Sequence, residues 1–396
     1  MTKLAFLSRF LALPPAQRSS QLRVRLAGLL NKLILGPLVS ELPSSALRSV
    51  EEHSQRDELR PHVVAAHTLL PPLVVTYALP PELPPAFRRT KALEARRAYV
   101  LRDVCVSAAS GLTWLPDAPL ALAESVGCVH RLMGWAALTP ELLQPTPSLA
   151  ETGLLVACPP GPFFHWLFET LPNVLLALAR WPEVRILLPP AVPAFAEQAL
   201  LHLLGPADYT TRVVRVAGPR RVAELLLLSK DEMAGFVHPA DIQHLREAFL
   251  PAGLRKTGHR ALYISRVRTP NRAAPGEPAL EAALREQGFE IMYCETLPLL
   301  AQVALFAEAR LVVGLHGAGL SHLVWATGAV QVAEIFPEGC FNDCYARLAS
   351  SMGFAYAPFL CGNSRSVSSA GAHLPVADIV AWLATLANPA VLAEGA

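Results

Sequence analysis

Three groups of residues in this chain have types and spacings that could do chemistry. The first is His316-Gly317-Ala318-Gly319, which follows the apolar run Leu311–Leu315 and precedes an expected helix, Leu320–Ala326, and a second apolar run, Val330–Ile335. Apolar run, glycine turn, helix, apolar run is the pattern of a βαβ unit in a parallel sheet. It puts the turn at the carboxyl end of a strand and the amino end of a helix, where backbone N–H groups lack partners and the helix dipole adds positive charge. A phosphate suits such a place. His316 could donate to a phosphate or a sugar hydroxyl, or bond to local backbone. Glu334, at the end of the second run, could bind ribose hydroxyls or cap local N–H groups. The GxGxxG fingerprint is absent, so a nucleotide fits better than a nicotinamide cofactor. HGxG also occurs in hydrolase oxyanion loops, but those require a GxSxG elbow, and the chain has none.

The second group is Arg266, with Arg268 and Arg272, just after the expected strand Ala261–Ser265. Arginine offers a fixed fork of donors for phosphate oxygens. If this strand neighbours Leu311–Leu315, Arg266 points at whatever anion the glycine turn holds and neutralises a diphosphate leaving group without a metal. The alternative is arginines on a surface loop. The third group is His165 and Glu169, four residues apart and therefore on one helix face, among Phe163, Phe164, Trp166 and Phe168. A carboxylate lined by aromatic rings suits a general base. A His–Glu pair at this spacing also occurs in metal sites, but no third ligand is evident, so no metal is expected. A structural histidine on an amphipathic helix is the remaining alternative.

Strands and helices alternate along the chain from Leu154 onward, which argues for parallel α/β structure. Leu154–Cys158, Val184–Leu188, Val213–Val216 and Leu225–Leu228 read as strands. Phe163–Arg180 reads as a helix with a break near Leu171, because Pro172 interrupts it, and Phe195–Leu204 as a helix ending at Gly205-Pro206. In the C-terminal part, Ala261–Ser265 and Phe289–Cys294 read as strands, and Glu277–Gln287 and Leu299–Ala309 as helices. The polar bridge Pro251–Gly258 separates the two parts. Three units follow: a helical N-terminal segment at 1–60, an N-terminal Rossmann-like domain at 61–255 and a C-terminal Rossmann-like domain at 256–396. Two doubly wound domains in tandem would face each other across a cleft, a layout suited to a two-substrate transfer.

Bulk properties narrow the class. With 396 residues, 52% hydrophobic and 17% charged, the chain has enough apolar material for large cores and too little charge for a disordered protein. A net charge of +2, without basic runs interleaved with aromatics, excludes a nucleic-acid partner. Seven scattered cysteines, an odd number, do not form a disulfide framework and read as reduced, mostly buried side chains. No apolar stretch reaches the length of a membrane span, and the N-terminus makes a poor signal peptide. These features place the protein in the cytoplasm. Residues 20–40 are amphipathic and basic, which reads either as a helix on an anionic membrane face or as one packed on the domain or on a partner.

The segments GPFFHWLFETLPNVLLAL, YISRVRTPNRAAPGEPAL and LPLLAQVALFAEARLVVGLHGAGLSHLVWATGAVQVAEIFP occur together in that order. In this they resemble glycosyltransferase family 61, over about residues 155–337. The resemblance implies an α/β fold of GT-B type and an inverting, metal-independent transfer from a nucleotide sugar, with no cofactor. It puts His165 and Glu169 on the acceptor side, with Glu169 as the base. Arg266, Arg272, His316, Gly317, Ala318, Gly319 and Glu334 fall on the donor side. Two positions depart from the family pattern: its Asn-Glu is Gly276-Glu277 here, and its Asn after the HGAGL turn is His322. The chain lacks the membrane anchor of eukaryotic members, which suits a bacterial enzyme of surface polysaccharide synthesis. The expected partners are a nucleotide sugar, a UDP-sugar above all, and a glycan or lipid-linked acceptor. The competing expectation is a catalytically degenerate nucleotide-binding or scaffold subunit of a polysaccharide-synthesis complex.

Overall fold

Apolar strands such as Leu311–Leu315 need cover on both faces, and the C-terminal half supplies it. Five parallel strands lie in the order Glu290–Met292, Arg260–Ile264, Ala309–Leu315, Gln331–Phe336, Ala355–Leu360. Leu311, Val313 and Leu315 point to one face, where Leu280 and Leu284 of helix Glu277–Glu286 and Ile379 and Leu383 of helix Val376–Leu386 cover them. Val312 points to the other face, among Val303 and Phe306 of helix Leu299–Ala307. The period-2 alternation of the strand thus feeds two separate cores.

The computed structural model describes residues 47–50, 60–84, 87, 89–116, 121–126, 141, 144–157, 163–229, 235–251, 258–269, 274–337, 341–361 and 374–386. The amphipathic stretch 20–40, the expected boundary at 255/256, Arg272, and Cys128, Cys158 and Cys340 lie outside these residues. Among the described residues Cys344 and Cys361 are buried free thiols, Cys294 is a partly covered one, and Cys105 is buried. No helix among them is long and apolar enough to cross a membrane.

The N-terminal half departs from the doubly wound expectation. Its sheet is mixed, with ten strands among the described residues. Leu154–Val156, Arg185–Leu188 and Val213–Arg215 form a parallel ladder joined by helical crossovers. On the other side of Leu154–Val156 lies Pro219–Leu228, which also pairs antiparallel with the long strand Arg96–Ser107 from Pro219–Ser107 to Leu228–Ala98. Val63–Leu70 joins the same strand antiparallel, its residues alternating in burial as a half-covered strand does. The protein is therefore α/β, and its described residues form one parallel sheet, one mixed sheet and a two-stranded antiparallel one, Leu73–Thr76 with Thr90–Leu93.

Two helices depart a little from their expected course. Helix Ala194–Arg212 passes the expected end at Gly205-Pro206, but with a break there, since Gly205 leaves the helical conformation. The run Phe163–Arg180 opens with Phe163–His165, continues as a π-helical turn over Trp166–Thr170 and resumes as α-helix Leu171–Arg180. Pro172 explains the π turn. Its ring would clash with a carbonyl one α-turn back and it has no N–H to donate. The Leu171 N–H accordingly reaches five residues back, to Trp166 O.

The halves share one core. Phe164, Trp166 and Phe168 belong to the same apolar cluster as Phe306, Leu323 and Trp325. The Phe163 ring stacks on His322 at 4.6 Å, and Arg246 Nη1 donates to the Val324 and Ala326 carbonyls, each at 2.6 Å.

Candidate active site

The strand order of the parallel sheet selects the site. Arg260–Ile264 and Ala309–Leu315 are neighbours, but the next strand after the first lies on one side and the next after the second on the other. Connections diverge at such a switch point, leaving a crevice at the carboxyl ends of the two strands. Ile264 is in register with Gly314, so Ser265-Arg266 emerges beside His316-Gly317. Arg266 Nη1 donates to the His316 carbonyl at 2.5 Å. A Cβ on Gly317 would lie 2.9 Å from that same nitrogen, and one on Gly319 would lie 2.6 Å from Ile264 Cγ2. Glycine at these positions lets the turn close onto the neighbouring strand end and its guanidinium.

The turn leads into a 3₁₀ helix, Ala318–Trp325, where an α-helix from Leu320 was expected. Its first amides, Ala318 and Gly319, have no preceding helical carbonyl to bond. Together with the Arg266 guanidinium they make a place for an anion. The neighbouring Arg268 turns away: its guanidinium lies 3.8 Å from the centre of the Tyr293 ring.

His316 is held from beneath. Its Nδ1 and Glu334 Oε1 are 2.5 Å apart, Tyr356 Oη donates to Glu334 Oε2 at 2.5 Å, and the ring stacks on Phe336. Burial, next to Glu334, pushes the Tyr356 hydroxyl well above its ordinary value. Glu334 is wholly buried with both oxygens engaged. Glu334 fixes the histidine's orientation and leaves Nε2 as the nitrogen for a ligand.

His165 and Glu169 form a second histidine–carboxylate pair, Nδ1 to Oε1 at 2.7 Å, with both side chains partly exposed. In the π turn they remain on one face. Aromatic rings bridge the two pairs. Phe164 meets the edge of Tyr345 at 5.8 Å, and Tyr345 lies 5.4 Å from the His316 ring. Glu169 also lines a small recess with Thr113, Thr170 and Asn173. Among the described residues no group of three His, Cys, Asp or Glu side chains is placed to hold a metal.

The two departures from the family pattern have structural explanations. Gly276 adopts a left-handed conformation (φ 94°, ψ −11°) just before helix Glu277–Glu286. Glycine and asparagine are the residues that tolerate this region best, so the change keeps the backbone. His322 is buried. It is sandwiched between Phe163 and Phe306, at 4.6 and 4.9 Å, and its Nδ1 accepts from Trp325 Nε1. Burial lowers its pKa to about 3, so the ring stays neutral and serves as a flat aromatic plate between the halves.

Sequence reasoning missed Tyr356, Tyr345, Tyr263 and Glu281. Glu277 Oε1 accepts the Arg266 N–H at 2.7 Å and the Tyr263 hydroxyl at 3.1 Å. Ser265 Oγ donates to Glu281. The available signal was the pair Glu277 and Glu281, one helical turn apart at the start of a helix that follows the arginine loop. The tyrosines gave none, because their partners are distant in sequence.

The parallel sheet thus carries Arg266 and His316 at its switch point, and aromatic rings link them to the helix with the His165–Glu169 pair. Residues 163–333, somewhat under half of the chain, match the family model described as Glycosyltransferase 61. The match begins two residues before His165 and ends one before Glu334. No curated protein matches the chain.

Proposed function

We propose that the protein is an inverting, GT-B-type transferase that moves a sugar from a nucleotide sugar, a UDP-sugar by preference, to a glycan or lipid-linked acceptor in bacterial surface polysaccharide synthesis. The observation that carries this reading is the placement of Arg266 against Gly317, beside His316, at the switch point. There the diphosphate lies on the turn, with Arg266 and His316 Nε2 against its oxygens. Arg272 and Ala318 belong to the same donor side.

The acceptor hydroxyl meets Glu169. The carboxylate takes the hydroxyl proton as the acceptor oxygen bonds to the anomeric carbon. The bond from that carbon to the diphosphate oxygen breaks, and the nucleoside diphosphate leaves with the electron pair. Its added charge is met by Arg266, a fixed cation that requires no reorganisation and no cofactor. His165 orients Glu169. Attack from the face opposite the leaving group inverts the anomeric centre.

A thermal-shift panel of nucleotide sugars on the whole chain tests the reading. A ligand that binds the native state raises the melting temperature by mass action. A UDP-sugar is expected to do so, and Arg266→Ala to abolish the shift. If no nucleotide or nucleotide sugar moves the transition, the reading fails.

A further inference from the structure

The Ser265–Arg266 turn is fastened by two carboxylates that the proposed chemistry does not use. Glu277 and Glu281 lie one turn apart on the same helix face, at 1% and 5% exposure. Glu277 takes the Arg266 backbone N–H and the Tyr263 hydroxyl on one oxygen, and its other oxygen is buried without a partner among the described residues. Glu281 takes the Ser265 hydroxyl, whose oxygen in turn accepts the Val267 N–H at 3.2 Å, and it also takes Tyr293 Oη at 2.8 Å and Arg285 Nη2 at 3.0 Å. Burying two like charges side by side is costly, and apolar residues of similar size often serve stability as well or better. Burial and the neighbouring Glu281 both push the Glu277 carboxyl up, against the Arg266 N–H and Tyr263. Stability therefore gives no reason for two carboxylates here, whereas the aim of one guanidinium does.

We infer that Glu277 and Glu281 are positioning residues of the anion turn: Glu277 holds the Arg266 backbone N–H and Glu281 the Ser265 hydroxyl, so that the Arg266 guanidinium is delivered against Gly317 and onto the ligand's phosphates. The inference rests on the nucleotide reading above. It assigns a role to the Gly276-Glu277 pair, with the glycine supplying the left-handed entry and the glutamate the hold on Arg266. It also separates the clamp from the Glu169 side, which it does not touch.

Calorimetric titration of the full chain with UDP provides the test. Glu277→Ala is expected to weaken UDP binding about 10-fold. Glu277→Gln, which keeps the accepting oxygen, should restore most of it. A residue that works through Arg266 must be non-additive with it: once Arg266→Ala is present, adding Glu277→Ala should cost less than twofold more. A purely structural role would give additive losses. If the alanine variant does not fold, Glu277→Asp keeps the charge, withdraws it by one methylene and should weaken UDP several-fold. Normal UDP affinity in a folded Glu277→Ala or Glu277→Asp chain, or additive losses in the double variant, would overturn the inference while leaving the nucleotide site intact. Failure of the wild-type chain to bind UDP would remove the nucleotide reading itself, and the clamp with it.

Discussion

The two histidine–carboxylate pairs use the same chemical groups in opposite ways. At His165–Glu169 both side chains are open to a similar degree, 13% and 15%, and the pair sits on a π turn. At His316–Glu334 the values are 8% and 0%, and a tyrosine closes the remaining carboxylate oxygen. The difference decides which members stay open. In the first pair the carboxylate stays partly exposed, as the base role proposed for it requires. In the second the carboxylate is sealed, so only the histidine is presented, with its orientation set from behind. Residue identity alone does not assign a role, and burial of one partner does.

The largest expected effect breaks the comparison outright. Glu169→Gln should lower the turnover number about 1,000-fold, within the usual span for a general base, while UDP affinity stays within twofold. Steady-state kinetics beside a UDP titration checks this, and a matching loss of UDP affinity would place Glu169 on the donor side. Next, Glu334→Gln should reduce kcat/KM about 100-fold, because a neutral partner loses the charge-assisted bond to His316. The sharper readout is the imidazole nitrogen spectrum of His316, which should show a changed tautomer while His165 is unaffected.

His322 contributes a smaller effect that lies on stability rather than catalysis. Its pKa falls from 6.5 when unfolded to about 3 when folded, so between those values the unfolded chain binds the extra proton. The stability that the neutral ring contributes is complete above pH 6.5 and drains away as pH falls toward 3. By pH 5 the loss is about 2 kcal/mol. Denaturant unfolding at pH 7 and pH 5 should show this fall, and His322→Phe should reduce it by about that amount. An unchanged pH slope would mean that the ring is not held neutral. The smallest effect belongs to Tyr356→Phe, which leaves one oxygen of a buried carboxylate unpaired. It should cost about 1 kcal/mol in stability and only a few-fold in UDP affinity.

Much of this was legible in the sequence because it is local. The βαβ unit around Leu311–Ile335, the one-face placement of His165 and Glu169 and the disturbance at Pro172 follow from periodicity and ring geometry. Arg266 beside the glycine turn needed only the adjacency of two strands, which the register Ile264–Gly314 supplies. What could not be read is what depends on distant pairing. The antiparallel ladder of Pro219–Leu228 on Arg96–Ser107 joins segments more than a hundred residues apart, and it turns an expected doubly wound domain into a mixed sheet. The setting of Glu334 was hidden for a similar reason. Its position at a strand end suits a ribose contact, and Tyr356, on the next strand, is what closes its second oxygen.

The plate formed by Phe163, His322 and Phe306 has a consequence for how this protein could be recombined. Its three rings come from three separate segments, one before the expected boundary and two after it. Grafting the C-terminal half onto the N-terminal half of a relative would carry Phe306 and His322 along and leave the relative to supply a ring at the Phe163 position. The reverse graft, with a C-terminal half that has asparagine in place of His322, would set a polar amide between two phenyl rings at the seam. Exchange of halves is thus set by the seam as well as by the surfaces that each half brings.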